Sequence, residues 1–182
     1  MAFQVTDRSG NLVNTSLWDP GYHVSATLVP GATPTSIVQI QGSASAVIRL
    51  KFVKVMLRSG TAAGGQVYTL NRRSTAAATG TSAAPTIVKG DPSNPAPTAA
   101  VLHFTAFPTV GTLVGAVKTE LLQTQATAAD TAKDVVVWQW TDKGDQALVI
   151  RGASDFVTLD MSAALATGQT LQVVYQWEEG VN

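Results

Sequence analysis

Two histidines, His23 and His103, are the only histidines in the chain, and histidine is the side chain most often recruited for proton transfer near neutral pH. His103 stands in Val101-Leu102-His103-Phe104, a run that reads as a strand, so a satisfied or half-buried structural histidine is expected there. His23 follows Gly21-Tyr22 close to a turn, which points to the surface. The chain has no cysteine, which excludes disulfides, thiolate metal sites and thiol nucleophiles. Gly42-Ser43-Ala44-Ser45 departs from the Gly-x-Ser-x-Gly nucleophile elbow and precedes a strand rather than a helix. Neither a phosphate-binding Gly-x-x-x-x-Gly-Lys-Ser/Thr loop nor a dinucleotide fingerprint occurs. Paired carboxylates can hydrolyse glycosides, but Asp142, Asp145, Asp155 and Asp160 are spread over turns and strand ends, where solvated carboxylates are expected. Their spacing does not match a calcium loop. The sequence therefore leads to the expectation of a non-enzyme, with no cofactor and no metal.

The remaining chemistry is that of adhesion. Trp18 stands alone beside Asp19-Pro20-Gly21 and either anchors a partner subunit, stacks on a sugar or plugs one end of the fold. Arg49, Lys51, Lys54 and Arg58 lie on one long strand, mostly opposite its apolar positions, and Arg72-Arg73 follow. This positive outer face serves either as an interface or as a guard against edge pairing. These seven residues are the candidate interface set.

Charge is scarce. Charged residues form 13% of the 182-residue chain, and 12 basic residues balance 12 acidic ones, where an average soluble domain is about 25% charged. Without a basic excess the chain is a poor match for a phosphate backbone, so no direct nucleic-acid contact is expected. Zero net charge with few charges suits a surface partly covered by neighbours. Met1-Ala2-Phe3-Gln4-Val5 lacks the basic-then-apolar pattern of a secretory signal, and no apolar run is long enough to span a bilayer. The expectation is synthesis in a cytoplasm and no membrane association.

The elements that must position these residues are strands, because period-two alternation dominates. Leu171, Val173, Tyr175 and Trp177 fall on one face, with Gln172, Gln176 and Glu178 on the other. Val157, Leu159 and Met161 alternate with Thr158 and Asp160; Leu148 and Ile150 precede Arg151-Gly152; Val136, Trp138 and Trp140 run to a turn at Asp142-Lys143-Gly144-Asp145. The longest strand, Val47 to Arg58, changes phase. Ile48, Leu50 and Phe52 share one parity, then Val53, Val55 and Leu57 the other, which predicts a bulge near Phe52-Val53. A Gly/Ala turn over Ser59 to Gly65 leads to a strand over Gln66 to Arg72, with Tyr68 and Leu70 inward. Turns at Asp19-Pro20-Gly21 and Pro30-Gly31 surround short strands. Thr124 to Lys133 admits a short helix. From Ser74 to Ala100 the chain is mostly Ala, Thr, Ser, Gly and Pro, too poor in large apolar residues for a core. It reads as an extended arm or surface loop with a short strand at Thr86 to Lys89. Each half has too few strands to bury a core alone, so residues 1–182 are expected to form a single all-β domain: an antiparallel β-sandwich, jelly-roll-like, with a long loop or arm at about 74–100.

Several stretches together resemble tailed-bacteriophage virion structural proteins. They are Leu70-Asn71-Arg72-Arg73-Ser74-Thr75 with Thr81-Ser82-Ala83-Ala84-Pro85-Thr86, then Gly111-Thr112-Leu113-Val114-Gly115. They continue with Ala147-Leu148-Val149-Ile150-Arg151-Gly152, Val157-Thr158-Leu159-Asp160-Met161, and Leu171-Gln172-Val173-Val174-Tyr175-Gln176-Trp177-Glu178-Glu179. The resemblance spans roughly residues 45 to 179 and implies a jelly roll or related sandwich. It implies a virion location and a role as capsid decoration (cement) subunit, with head fibre, tail or neck component as alternatives, including a host-recognition module that binds glycan. The implied partners are the major capsid protein and other virion subunits, and a homo-oligomer, a trimer foremost.

Overall fold

The computed structural model describes residues 3–6, 12–15, 19–29, 36–58, 64–124, 135–140, 146–165 and 168–181. The side chains of 3–6, 12–15, 58, 64, 123, 124 and 181 are outside that description. The described residues form strands and loops only. A small hairpin pairs β1 (Phe3–Thr6) with β2 (Leu12–Thr15). The principal strands are β3 (Gly21–Leu28), β4 (Ser36–Gln41), β5 (Ala46–Arg58), β6 (Gly64–Arg73), β10 (Leu113–Thr124), β11 (Val135–Gln139), β12 (Leu148–Arg151), β13 (Phe156–Met161) and β14 (Thr170–Val181). Three more, β7 (Ser82–Ala83), β8 (Val88–Lys89) and β9 (Ala100–Phe104), lie in and after the Ala/Thr/Pro-rich segment.

All pairings are antiparallel and build two six-stranded sheets. One runs β11-β5-β14-β3-β8, with β12 also on β5; the other runs β10-β6-β13-β4-β9-β7. β11 and β12 pair with successive halves of β5, Val135–Gln139 against Met56–Phe52 and Leu148–Arg151 against Leu50–Val47. Together they act as one interrupted strand. Set aside the β1–β2 hairpin and β7, β8 and β9, and the connectivity is that of a jelly roll: first strand (β3) beside last (β14), second (β4) beside next-to-last (β13), in opposite sheets.

The core lies between the sheets and follows the alternation. Leu171, Val173, Tyr175 and Trp177 of β14 pack with Ile48, Leu50, Val53, Val55 and Leu57 of β5 and with Val38, Ile40, Tyr68, Leu70, Val157 and Leu159 of the facing sheet. Trp138 and Trp140 belong to the same cluster. Each large apolar side chain so enclosed contributes roughly 1.5–3 kcal/mol.

The bulge falls one residue earlier than the alternation predicts. β14 pairs Gln176 with Phe52 and Trp177 with Leu50, so Lys51 is the extra residue. The same point separates β11 from β12, and the Lys51 carbonyl accepts from Trp140 N at 2.9 Å. Phe52, which shares parity with Ile48 and Leu50 in sequence, is thereby turned out of the core and is half-buried.

The segment 74–100 lies along the sandwich. Residues 74–80 cross the outer face of the β4/β13/β6 region, held by Ala77 N to Gln39 Oε1 at 2.8 Å and by a bridge between Ala78 and Thr109. β7 then extends one sheet beside β9, and β8 extends the other beside β3. The short strand expected at Thr86 to Lys89 is β8. Its continuation turns at Asp91, whose carboxylate accepts from Ser93 N and Oγ at 2.8 and 2.7 Å, holding the Asp91 carboxyl below its usual pKa range. The turns at Pro30-Gly31 and Asp142–Asp145, most of the Ser59–Gly65 turn and the Ala/Thr-rich stretch 125–133 lie outside the described residues.

Candidate functional site

One concave region stands out at an end of the sandwich. Asp19, Pro20, Tyr22, Ser45, Ala46, Pro95, Ala96, Thr98, Glu179 and Gly180 line a groove of about 350 Å³. Its floor is Glu179, the residue on β14 that shares parity with Leu171, Val173, Tyr175 and Trp177. Alternation therefore directs a carboxylate toward the buried face, and the strand accommodates it by surrounding it with donors. Glu179 accepts from Thr98 N (2.8 Å), Thr98 Oγ1 (2.6 Å), Ala99 N (3.0 Å) and Trp177 Nε1 (2.9 Å). Four donors to one buried carboxylate compensate the cost of removing its charge from water. Tyr22 completes the floor and donates to the Pro95 carbonyl at 3.1 Å. Burial and, secondarily, the neighbouring Glu179 charge raise its phenol pKa.

The groove's rim is an ion pair. Arg49 Nη1 meets Asp19 Oδ2 at 2.5 Å, directly over Gly180. A Cβ at Gly180 would collide with the guanidinium and the carboxylate, so only glycine lets the pair lie on the strand backbone. Asp19 accepts from Arg49 through Oδ2 and is one of the residues lining the groove.

Below the groove runs a row of rings. Tyr22 stacks on Trp177 at 5.6 Å between centroids, Trp177 on Tyr175 at 6.0 Å, and His103 meets Tyr175 edge-on at 5.9 Å. His103 Nε2 and Tyr175 Oη are 2.7 Å apart and enclosed, joining β9 of one sheet to β14 of the other. Burial pushes His103 down to about 4, so its imidazole is neutral at pH 7. The sequence placed it as a structural histidine, and this position matches that reading. His23 is half-buried on β3, opposite Val88.

The other sequence candidates are dispersed. Asp155 takes a bidentate bond from Arg72 (3.0 and 2.7 Å), and Arg72 also donates to the Val149 carbonyl, tying β6 to the β12–β13 turn. Asp160 accepts from Ser36 Oγ, Asn71 Nδ2 and Arg73 Nη2 at 2.5, 2.6 and 2.5 Å. Arg73 is buried and also donates to Thr158 Oγ1 and the Gly111 carbonyl. Gln39, Thr158 and Asn71 stand side by side in register in this network, beneath the 74–80 crossing. Asp155 and Asp160 are thus each occupied by a different arginine. Ser43 and Ser45 bond each other at 3.1 Å in the β4–β5 connection.

Of the candidate interface set, Arg49 pairs with Asp19, Lys51 with Glu178 at 3.1 Å, Arg72 with Asp155 and Arg73 with Asp160. Lys54 is half-buried on the same outer face. Trp18, the side chain of Arg58, Asp142 and Asp145 lie outside the described residues. Sequence reasoning missed the groove, although one signal was present: Glu179 sits in phase with four core residues of β14.

A different kind of feature occupies the opposite side of the sandwich. β10 and β11 are the outermost strands of their sheets there, and they carry Leu113, Val114, Leu121, Val135 and Val137, all exposed. No family model, curated protein or solved structure matches this chain.

Proposed function

We propose that the chain is a structural subunit of a tailed-phage virion, a capsid decoration protein that acts by adhesion and carries no catalysis. One contrast supports this reading most: the carboxylates of buried Glu179 and half-buried Asp160 are committed to internal donors, while five of the eight large apolar residues exposed among the described residues stand on two edge strands. Such a molecule has little reactive chemistry to offer and a surface that gains free energy by being covered. On a capsid its mechanism is mechanical. It buries apolar and hydrogen-bonding surface across the joints between major capsid subunits, so internal DNA pressure must break many contacts together.

A second reading, a glycan-binding module on a fibre, is favoured by the groove beside Asp19, whose size suits a small ligand. Immunogold labelling of virions with antibody to the purified protein separates the two. Regular labelling over the head is the expected result. Labelling at fibre tips would select the second reading, and particles without label would reject both.

A further inference from the structure

β10 is twelve residues long and, among the described residues, has a strand neighbour on one side only, β6. Its outer edge therefore presents a row of backbone donors and acceptors that no described strand pairs. Edges of this length are normally shortened, covered or guarded by charge. The guard here consists of Lys118 and Glu120, two residues apart and both exposed, neither in an ion pair among the described residues.

Opposite charges at i and i+2 form a guard with one gap. When two identical strands pair antiparallel about a two-fold axis, residue i faces residue 2c − i, where c is the residue on the axis. With Thr119 on the axis, Lys118 of each copy faces Glu120 of the other, twice, and Thr119 faces Thr119. With Lys118 on the axis, lysine faces lysine. With Glu120 on the axis, glutamate faces glutamate. With Leu121 on the axis, Glu120 faces Leu122 and both charges lose their partners. Cross-strand opposite charges stabilise and like charges destabilise, so the pattern selects the Thr119 register and rejects its neighbours.

With Thr119 on the axis, residues 120–124 of one copy face residues 118–114 of the other, so the charged centre pairs regular backbone and the flanks meet the irregular part of β10. From Lys118 to Thr124, β10 pairs regularly with β6, and the irregularities lie at Leu113/Gly115 and Ala116/Lys118. The three residues that make the match stand at the start of the regular stretch.

We infer that β10 is a self-association edge, and that two copies of this chain join antiparallel about Thr119 so that one sheet continues across both. This deepens the adhesive reading above but does not need a virion to be true. Two-fold pairing closes at two copies, so this edge builds a dimer and not the trimer that the resemblance implies.

The test is sedimentation equilibrium of the purified full chain over a concentration series. Wild type is expected to dimerise. Lys118→Glu and Glu120→Lys, each placing like charges face to face twice per dimer, are expected to weaken association about tenfold or more. The exchanged pair Lys118→Glu/Glu120→Lys restores the match and is expected to restore the dimer. Amide hydrogen exchange in residues 113–124 should slow as wild-type concentration rises. A monomer at all concentrations, a dimer indifferent to single reversal, a double variant that fails to recover, or exchange unaffected by concentration would each overturn the inference. None of these outcomes bears on virion labelling, so failure here and failure of the virion proposal remain distinguishable.

Discussion

The two long sides of the sandwich are finished in opposite ways. On one side the edges are β7 and β8, each two residues long, supplied by a single chain segment that passes from one sheet to the other. That segment is fastened by Gly90 N to Gly21 O at 2.8 Å, by Tyr22 to Pro95, and by Glu179 to Thr98 and Ala99. On the other side the edges are β10 and β11, long or apolar, and no described segment is laid over them. The difference teaches where the fold spends its sequence. Of the 27 residues 74–100, 22 are Ala, Thr, Ser, Gly or Pro, and this segment covers one side with Val88 left exposed on it, whereas the other side keeps two leucines and three valines in solvent. A jelly roll that needed both sides protected would have been served by comparable devices on each.

Removing the fastening should break this contrast most strongly. Glu179→Ala strands Thr98 N, Ala99 N and Trp177 Nε1 without their acceptor, and the expected loss is about 3–4 kcal/mol of unfolding free energy by chemical denaturation. If the variant were as stable as wild type, the covered side would not depend on this carboxylate.

Acid probes the same side more gently. His103 on β9 is held neutral, with its pKa at about 4 against an ordinary value near 6.5. Between those values the unfolded chain takes up a proton that the folded chain refuses, so stability falls as pH drops through 6.5 toward 4. The expected loss attributable to this residue is roughly 2–3 kcal/mol by pH 4. Comparing wild type with His103→Gln at each pH isolates it from carboxylate protonation; identical pH profiles would remove His103 from the account.

The smallest effect belongs to the open side. Leu121→Ser, at an exposed position on β10, should change unfolding free energy by no more than about 0.5 kcal/mol at concentrations where the chain is monomeric. A substantial loss would mean that Leu121 packs within its own chain, and the two sides would then be less different than they look.

Much of the architecture was legible because burial on one face of a strand imposes a period of two. That signal located β13 and β14 and assigned Tyr68, Leu70, Trp138 and Trp177 to the core. The bulge was visible as a change of phase, but its position was not. Phase records where the core face resumes, whereas the inserted residue, Lys51, is fixed by where β14 and the β11/β12 break fall. The path of 74–100 was illegible for another reason. Its attachments run through backbone atoms and through distant acceptors such as Glu179 and Gln39, and neither leaves a periodic trace. The basic residues show the limit most clearly. Arg49, Lys51, Arg72 and Arg73 looked like one outward cluster, yet each meets a different carboxylate supplied by a distant part of the chain. The groove was half legible: parity marked Glu179 as a charge on the wrong face, but not which groups would surround it.

β14 lies between β5 and β3, so the last of the described strands is an inner member of its sheet. During synthesis, β3 and β5 emerge long before the strand that must separate and join them. Until residue 181 has left the ribosome neither can complete its ladder, and the aromatic row below the groove lacks Tyr175 and Trp177. This sheet therefore closes only once β14 has emerged. Any nonsense codon upstream of residue 170 yields a chain without its sheet centre, a substrate for proteases.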